Sequence, residues 1–332
     1  MDELTRDGSV YVPYEDRTGA ESDVFFTRDL SAEGLIRAYE SVSGNITGKT
    51  GIKLHTGEQH GPNIIPRAWV QALMEQEPEL KDASIVETNT YYAGDRYTTA
   101  QHRETLKVNG WTFCPVDIMD EEGTALLPIH GGKWMKEMSV GSHMLSYQSL
   151  VVLTHFKGHT QGGFGGSNKN IGIGCADGRI GKKWIHTYEG QGQWSIAKEE
   201  FMERITESTK ATIDFFKDHI LYVNILRNMS VSCDCEGIAA QPVVTPNVGI
   251  LASRDILAID QASVDCVYAM KEEDNHDLVE RIESRHGLRQ LSYMKEMGMG
   301  NNRYHLLDLD NDRKEISAKD AVAGVVPFVR ED

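Results

Sequence analysis

Between His155 and His186 the sequence gathers the residue types that move protons and hold metals. It reads His155-Phe156-Lys157-Gly158-His159-Thr160-Gln161-Gly162-Gly163-Phe164-Gly165-Gly166-Ser167-Asn168-Lys169-Asn170, then Ile171-Gly172-Ile173-Gly174-Cys175. An imidazole titrates near neutrality, which suits His159 to acid–base work and His155 and His186 to orienting a substrate or binding a metal. A lysine desolvated in such a loop can lose its charge and act as nucleophile or anchor, a role for Lys169. His159, Lys169 and His155 are therefore the expected catalytic set. Glycine fills seven of the seventeen positions from Gly158 to Gly174. That composition suits a backbone needing left-handed turns or close approach to a ligand. Gly163, Gly165 and Gly166, with Asn168 and Asn170, are thus expected to form a cofactor or anion cradle, consecutive amides being good anion hosts. A plain Gly-rich turn is the competing reading.

Other clusters could wall the same crevice. Lys53-Leu54-His55-Thr56-Gly57-Glu58 closes a β-type run with a cation, an imidazole and a carboxylate. Thr90-Tyr91-Tyr92, Asp95-Arg96 and His102-Arg103 offer anion-binding groups near a helix start. Lys53, His55, His102, Arg103 and Lys157 are the expected substrate contacts. Asp117 and Asp120, at another strand end, could serve as bases or hard-metal ligands. Cys233-Asp234-Cys235 is the best metal candidate by chemistry, with Cys175 as a third thiolate and His155, His159 or His186 as an imidazole. Iron–sulfur clusters generally want four cysteines, so a divalent transition metal suits this set better. Two nucleotide fingerprints fail. Gly172-Ile173-Gly174 lacks the third glycine at the dinucleotide-binding spacing, and Gly178, Gly181 and Lys182 lack the length of a P-loop.

The elements that must position these residues alternate. Short apolar runs at 23–26, 51–55, 84–88, 112–118, 126–129, 149–154, 221–225 and 248–252 read as strands. Helical patterns cover 31–39, 66–74, 98–108, 198–219 and 259–273. Asp255 and Asp260 flank an apolar run and are expected to cap the helix that follows. Strands separated by helices predict an α/β fold, a mainly parallel sheet with helices on both faces, as one interlaced unit or two coupled lobes. The run 149–154 reads as a doubly buried central strand. Its carboxyl end, where such sheets bind ligands, delivers His155 to Asn170. The expected organisation is an N-terminal extension over residues 1–20 and one domain over 21–330, with a lobe boundary near 145.

Composition bounds the partners. Net charge is −16, which disfavours nucleic acid and anionic lipid. No stretch approaches the roughly 20 apolar residues of a membrane span. Met1-Asp2-Glu3-Leu4 lacks the order of a signal peptide, so a cytoplasmic location is expected. Five cysteines without a framework spacing read as thiols or metal ligands rather than disulfides. A small-molecule substrate or cofactor is the expected partner, with a homo-oligomer left open.

Several motifs in order resemble a known family: Lys53–Glu58, His155–His159, Gly163–Cys175, Gly181-Lys182 with His186, Cys233–Cys235, Gly249–Ser253 and Ala258–Ala262. The succession, from about residue 20 to 310, is similar to the family called domain of unknown function 362, often labelled iron–sulfur centre proteins. Many members carry a four-cysteine insertion after the counterpart of His186. Here 187–194 contains no cysteine. More distantly, His159, Gly163–Gly166, Lys169 and His186 resemble the loop of nickel-pincer lactate racemases. That likeness implies His159 as acid/base, Lys169 as tether of a pyridinium cofactor and His186 as a nickel ligand; His102-Arg103 resembles a substrate-binding pair. The racemases' other catalytic histidine has no clear counterpart. The expected function is metal- or cofactor-dependent proton or hydride transfer on a small anionic substrate, isomerase-like or oxidoreductase-like. The alternative is a non-catalytic metal or iron–sulfur carrier centred on Cys233 and Cys235.

Overall fold

The computed structural model describes residues 8–328. The tetrapeptide Met1–Leu4 and the last residues of the expected domain lie outside that range. In chain order the strands are β1 (Glu21–Thr27), β2 (Thr50–Lys53), β3 (Ser84–Glu87), β4 (Val116–Ile118), β5 (Thr124–Pro128), β6 (Glu137–Gly141), β7 (Ser149–His155), β8 (Lys157–His159), β9 (Gly163–Gly165), β10 (Ile220–Leu226), β11 (Gly249–Ser253), β12 (Arg303–Asp308) and β13 (Lys314–Ile316). Nine of them form one sheet in the order β13-β12-β1-β11-β10-β7-β2-β3-β4. The run β10-β7-β2-β3-β4 is parallel throughout, and β1 and β12 are parallel to each other. Strands β11 and β13 run antiparallel to their neighbours.

Alternation along the strands explains the two layers. Leu150 and Val152 of β7 enter one core, while Val151 and Leu153 enter the other. Successive side chains point to opposite faces, so a continuous apolar run is what a strand covered on both sides requires. Helices Ala32–Glu40 and Arg67–Gln76 cover one face; Lys198–Phe216 and Ile256–Ala269 cover the other. The fold is α/β with a mainly parallel sheet, as the alternation predicts. No helix among the described residues is long and apolar enough to cross a membrane.

The structure departs from the sequence pattern at three elements. The strand expected over 112–118 is confined to Val116–Ile118. The helix expected over 259–273 starts at Ile256 and stops at Ala269, where Met270 turns extended; Glu272–Ser284 is a separate helix. Asn275 Nδ2 donates to the Val267 and Met270 carbonyls freed at that break. The Gly-rich stretch, expected as an open loop, is a β8–β9 hairpin followed by a helix over Ser167–Gly174.

The N-terminal stretch is tied to the domain. The Arg17 guanidinium donates to both oxygens of buried Asp265, which also accepts from Tyr11 and Tyr304 hydroxyls.

Candidate functional site

Parallel strands β2, β3, β7 and β10 end on the same edge of the sheet, and the chain leaving them carries Lys53–His55, Glu87–Tyr92, Lys157–Lys169 and Cys233–Cys235. A cavity of about 520 Å³ lies there. Of the residues expected from sequence, Lys53, His55, His159, Lys169, Asn170, His186 and Cys235 line it, together with Thr90, Tyr91, Tyr92 and Arg96 from the expected anion-binding cluster. This is the crevice position at which open α/β sheets bind ligands.

The Gly-rich segment builds a wall instead of a free anion cradle. The Ser167 and Asn168 backbone N–H groups donate to the Asp260 carboxylate at 2.7 and 2.9 Å. The amides expected to receive an anion are therefore filled from within. Asp260, expected to cap the helix that follows it, sits inside that helix and caps Ser167–Gly174, while Asp255 caps the former through the Ala258 N–H. Gly163 takes φ +75° and faces Gly287 so closely that a Cβ would lie 2.8 Å from the Gly287 Cα. Asn168 is buried, its amide donating to Thr206 and Gln290. Asn170, two residues on, does reach the cavity. Its Nδ2 donates to the Leu153 carbonyl and its Oδ1 accepts from Lys53 Nζ at 3.1 Å.

Lys53 and Arg96 form a charged floor with two carboxylates. Lys53 Nζ lies 3.3 Å from Glu87 Oε1, and Arg96 bridges Glu58 at 2.9 Å and Glu87 at 3.1 Å. Burial pushes the Glu87 carboxyl up, but the Lys53 and Arg96 charges outweigh it and hold it well below the usual range. His102 stands behind Glu87, fully buried, with Nε2 at 3.3 Å from Oε2. It buttresses the floor and does not line the cavity. Arg103 points outward and pairs with Glu121.

On another side, a cation, an imidazole and a second thiol gather round the Cys233 sulfur. His159 Nδ1 accepts from the Gly162 N–H at 2.8 Å, so Nε2 carries the ring proton. His55 Nδ1 accepts from the Gly57 N–H at 2.9 Å. His159 and Cys235 bring their ligand atoms within 4.8 Å of the Cys233 Sγ, Lys169 Nζ lies 3.6 Å from it, and His55 Nε2 faces the Arg96 guanidinium at 3.5 Å. The Cys235 hydrogen bond above all, then the Lys169 charge and the two imidazoles, hold the Cys233 thiol well below its ordinary range despite burial. Burial chiefly, and the Lys169 charge, lower His159.

The remaining wall is cationic and aromatic. Lys182 and His186 are one turn apart on the short helix Gly181–His186. Lys182 Nζ donates to Thr88 Oγ1 at 2.7 Å and to the Asn89 carbonyl, and burial lowers it to about 8. His186 Nδ1 donates to the Lys182 carbonyl at 2.7 Å, which leaves an Nε2 lone pair. Burial first, then the neighbouring positive groups, lower it to about 3. Trp194 meets its ring edge-on with centroids 4.8 Å apart, and Tyr91 stacks at 6.0 Å.

Other expected residues lie elsewhere. His155 is locked between Asp234 (Nδ1, 2.9 Å) and the Arg227 carbonyl (Nε2, 2.7 Å), and Lys157 spends its charge on the same aspartate at 2.9 Å. Neither presents a free group to the cavity. Cys175 is sealed in the core, apart from the compact group that His159, Cys233 and Cys235 form with donor atoms within 4.8 Å. Asp120 anchors the Asn89 and Gly178 amides, while Asp117 pairs with His143 near the surface. Glu87, Lys182 and Trp194 received no site role from sequence, although Lys182 belongs to the Gly181-Lys182 motif of the family resemblance. Glu87 ends a strand just as Lys53 does, and Lys182 precedes His186 by one helical turn; those were the available signals.

The model of the family described as domain of unknown function (DUF362) matches residues 51–265. No curated protein matches the chain. Among solved structures, the lactate racemase apoprotein from Thermoanaerobacterium thermosaccharolyticum is 12% identical, with 90% of this chain and 85% of that chain covered and a TM-score of 0.38. A Thermotoga maritima protein is 13% identical, with 58% and 49% covered and a TM-score of 0.37. The family model spans more than half of the sequence, including the strand ends, the Gly-rich segment and the cysteine pair, and the chain belongs to the DUF362 family.

Proposed function

We propose that the cavity is the active site of an enzyme that moves a proton on a small carboxylate-bearing substrate. One observation carries this reading. Lys53 and Arg96 are matched by Glu87 and Glu58, whereas Lys169 meets a sulfur and Lys182 meets uncharged oxygens. Lys182, a buried amine whose contacts are all uncharged, is a vacancy for an anion. Lys182 would hold the substrate carboxylate, with Lys169 adding its charge from beside the Cys233 sulfur. His186, neutral and with its Nε2 lone pair free of hydrogen-bond donors among the described residues, would accept the substrate proton once the bound carboxylate's negative charge offsets the burial that lowers the ring. His159 would return one from Nε2. Tyr91 and Trp194 would exclude water and strengthen these interactions.

The likeness to the lactate racemase loop raises a lysine-tethered, metal-bearing cofactor. Lys169 Nζ and His186 Nε2 suit it, because both line the cavity and neither is committed to a carboxylate. Lys169 would hold its ring and His186 its metal; such a group supplies an electron sink when bound. In that case His159 carries the proton transfer.

The test incubates anaerobically purified protein with a panel of small 2-hydroxy- and 2-oxocarboxylates in deuterium oxide. Proton NMR follows exchange at C2 of the hydroxy acids and at C3 of the oxo acids, and intact mass and metal content are read in parallel. Exchange that is lost in His186→Asn and weakened in Lys182→Met supports the reading. Neither exchange nor binding across the panel rejects it.

The alternative is a metal or iron–sulfur carrier on Cys233 and Cys235, and the compactness of that pair with His159 favours it. Against it, the His159 Nδ1 is occupied by a backbone N–H, whereas metal-bound imidazoles donate from their second nitrogen. Stoichiometric iron or zinc, lost in a Cys233→Ser/Cys235→Ser variant, would favour the carrier.

A further inference from the structure

We infer that Cys233 and Cys235 form a second reactive centre, a dithiol that reduces a small hydroperoxide and closes to a disulfide. The proton-transfer reading gives this pair no turnover of its own, and the inference stands without that reading.

The argument begins with the contrast among the five cysteines. Cys175 and Cys266 are buried among apolar side chains of one core layer, and Cys114 is half-buried against the other. None has the donors that Cys233 has. Its sulfur receives Lys169 Nζ at 3.6 Å, and the ligand atoms of His159 and Cys235 lie within 4.8 Å of it. Such donors stabilise a thiolate, and the thiolate is the form that attacks peroxide oxygen.

Geometry supplies the partner. Cys233 precedes the short 3-10 turn Asp234–Ala239, and Cys235 lies within it, so the two sulfurs sit on one bend of chain. Their donor atoms, with that of His159, lie within 4.8 Å of each other. The pair needs only to draw together to the disulfide length of about 2.05 Å. Asp234, between them, is clamped by His155 and Lys157, so the bend is anchored from behind while the sulfurs face the cavity side. Cys235 lines the cavity, and Cys233 stands behind it at 1% exposure. Only an oxidant of a few atoms passes that screen, which selects hydrogen peroxide or a small organic hydroperoxide over a protein disulfide.

The step balances. The Cys233 thiolate attacks one peroxide oxygen, the O–O bond breaks, and Cys233 becomes a sulfenic acid. The departing hydroxide takes a proton from Lys169 or from water. The Cys235 sulfur then attacks the Cys233 sulfur, the S–O bond breaks, the disulfide forms, and the second oxygen leaves as water with the Cys235 proton. The peroxide gains two electrons and the two cysteines lose two. An external dithiol restores the reduced pair by exchange.

The full chain, reduced and freed of reductant without oxygen, is treated with one equivalent of hydrogen peroxide. The expected result is loss of two hydrogen masses and two of its five free thiols, with peptide mapping joining Cys233 to Cys235. Cys235→Ser should instead stop at a sulfenic acid on Cys233, captured by a cyclic 1,3-diketone. Lys169→Met should slow the reaction at least about tenfold, since it removes the cation beside the sulfur. Alkylation of Cys114 reports whether each variant is folded. Oxidation of Cys114 as fast as Cys233 would overturn the inference. So would a protein that, as isolated, carries a metal shielding both thiols.

Discussion

Asp260 stands so close to Gly166 that a Cβ on that glycine would meet its Oδ1 at 2.5 Å. The carboxylate needs this proximity, because it accepts the Ser167 and Asn168 N–H groups from the next two residues. The glycine is thus a requirement of helix capping inside the core, at an ordinary negative φ. Gly166→Ala should cost about 1–3 kcal/mol through overpacking. A urea denaturation midpoint unchanged from wild type would show that the contact is not tight.

Asp234 organises the back of the cysteine bend. It accepts from His155 and pairs with Lys157, both at 2.9 Å, all three being buried. Removing one member of a buried charged group strands the others. Asp234→Asn should destabilise the protein by about 3–5 kcal/mol, far beyond the effect of a surface change. A loss below about 1 kcal/mol in chemical denaturation would mean that the pair is open to water.

What could be read from the sequence divides along physical lines. The run 149–154 announced β7 because a doubly covered strand must be apolar on both faces. The Lys53 and His55 cluster was legible from its place at a strand end. The helix Ser167–Gly174 was hidden by its own composition, since Gly and Asn are poor helix formers. Tertiary contacts outweigh propensity there. Asp260, distant in sequence, caps the helix, and Gly172 lets it approach Lys198–Phe216, where a Cβ would lie 2.5 Å from the Ile205 carbonyl oxygen. His155 looked as reactive as His159 in sequence. Only the fold shows that Asp234 occupies the first, while the second reaches the cavity.

His186 should couple stability to acid. Its folded value, lowered to about 3 chiefly by burial, lies below the ordinary value of about 6.5. The unfolded chain therefore binds the proton more readily between those values. Stability from this group is complete above about pH 6.5 and is lost as pH falls towards 3, with a limiting slope of about 1.4 kcal/mol per pH unit. His186→Asn should remove that component, so the difference between wild type and variant should shrink steadily on acidification. Parallel stability–pH curves from pH 7 to 4 would refute the assignment.

Lys182 sets the expected alkaline limit on binding. Burial lowers its amine to about 8, so the charge that would hold a carboxylate is present below that pH and disappears above it. Affinity for a small carboxylate should be flat from pH 6 to 7.5. Above pH 8, Kd should then rise towards about tenfold per pH unit, each tenfold step being about 1.4 kcal/mol. Lys182→Met should bind weakly and without this alkaline limb. Lys182→Arg should keep its charge throughout and so also lack the limb, but with a flat profile nearer the neutral wild-type affinity. Calorimetric titration across pH distinguishes the three. An alkaline limb that persists in Lys182→Arg would place the titrating group elsewhere and leave Lys182 with only its bonds to Thr88 and Asn89.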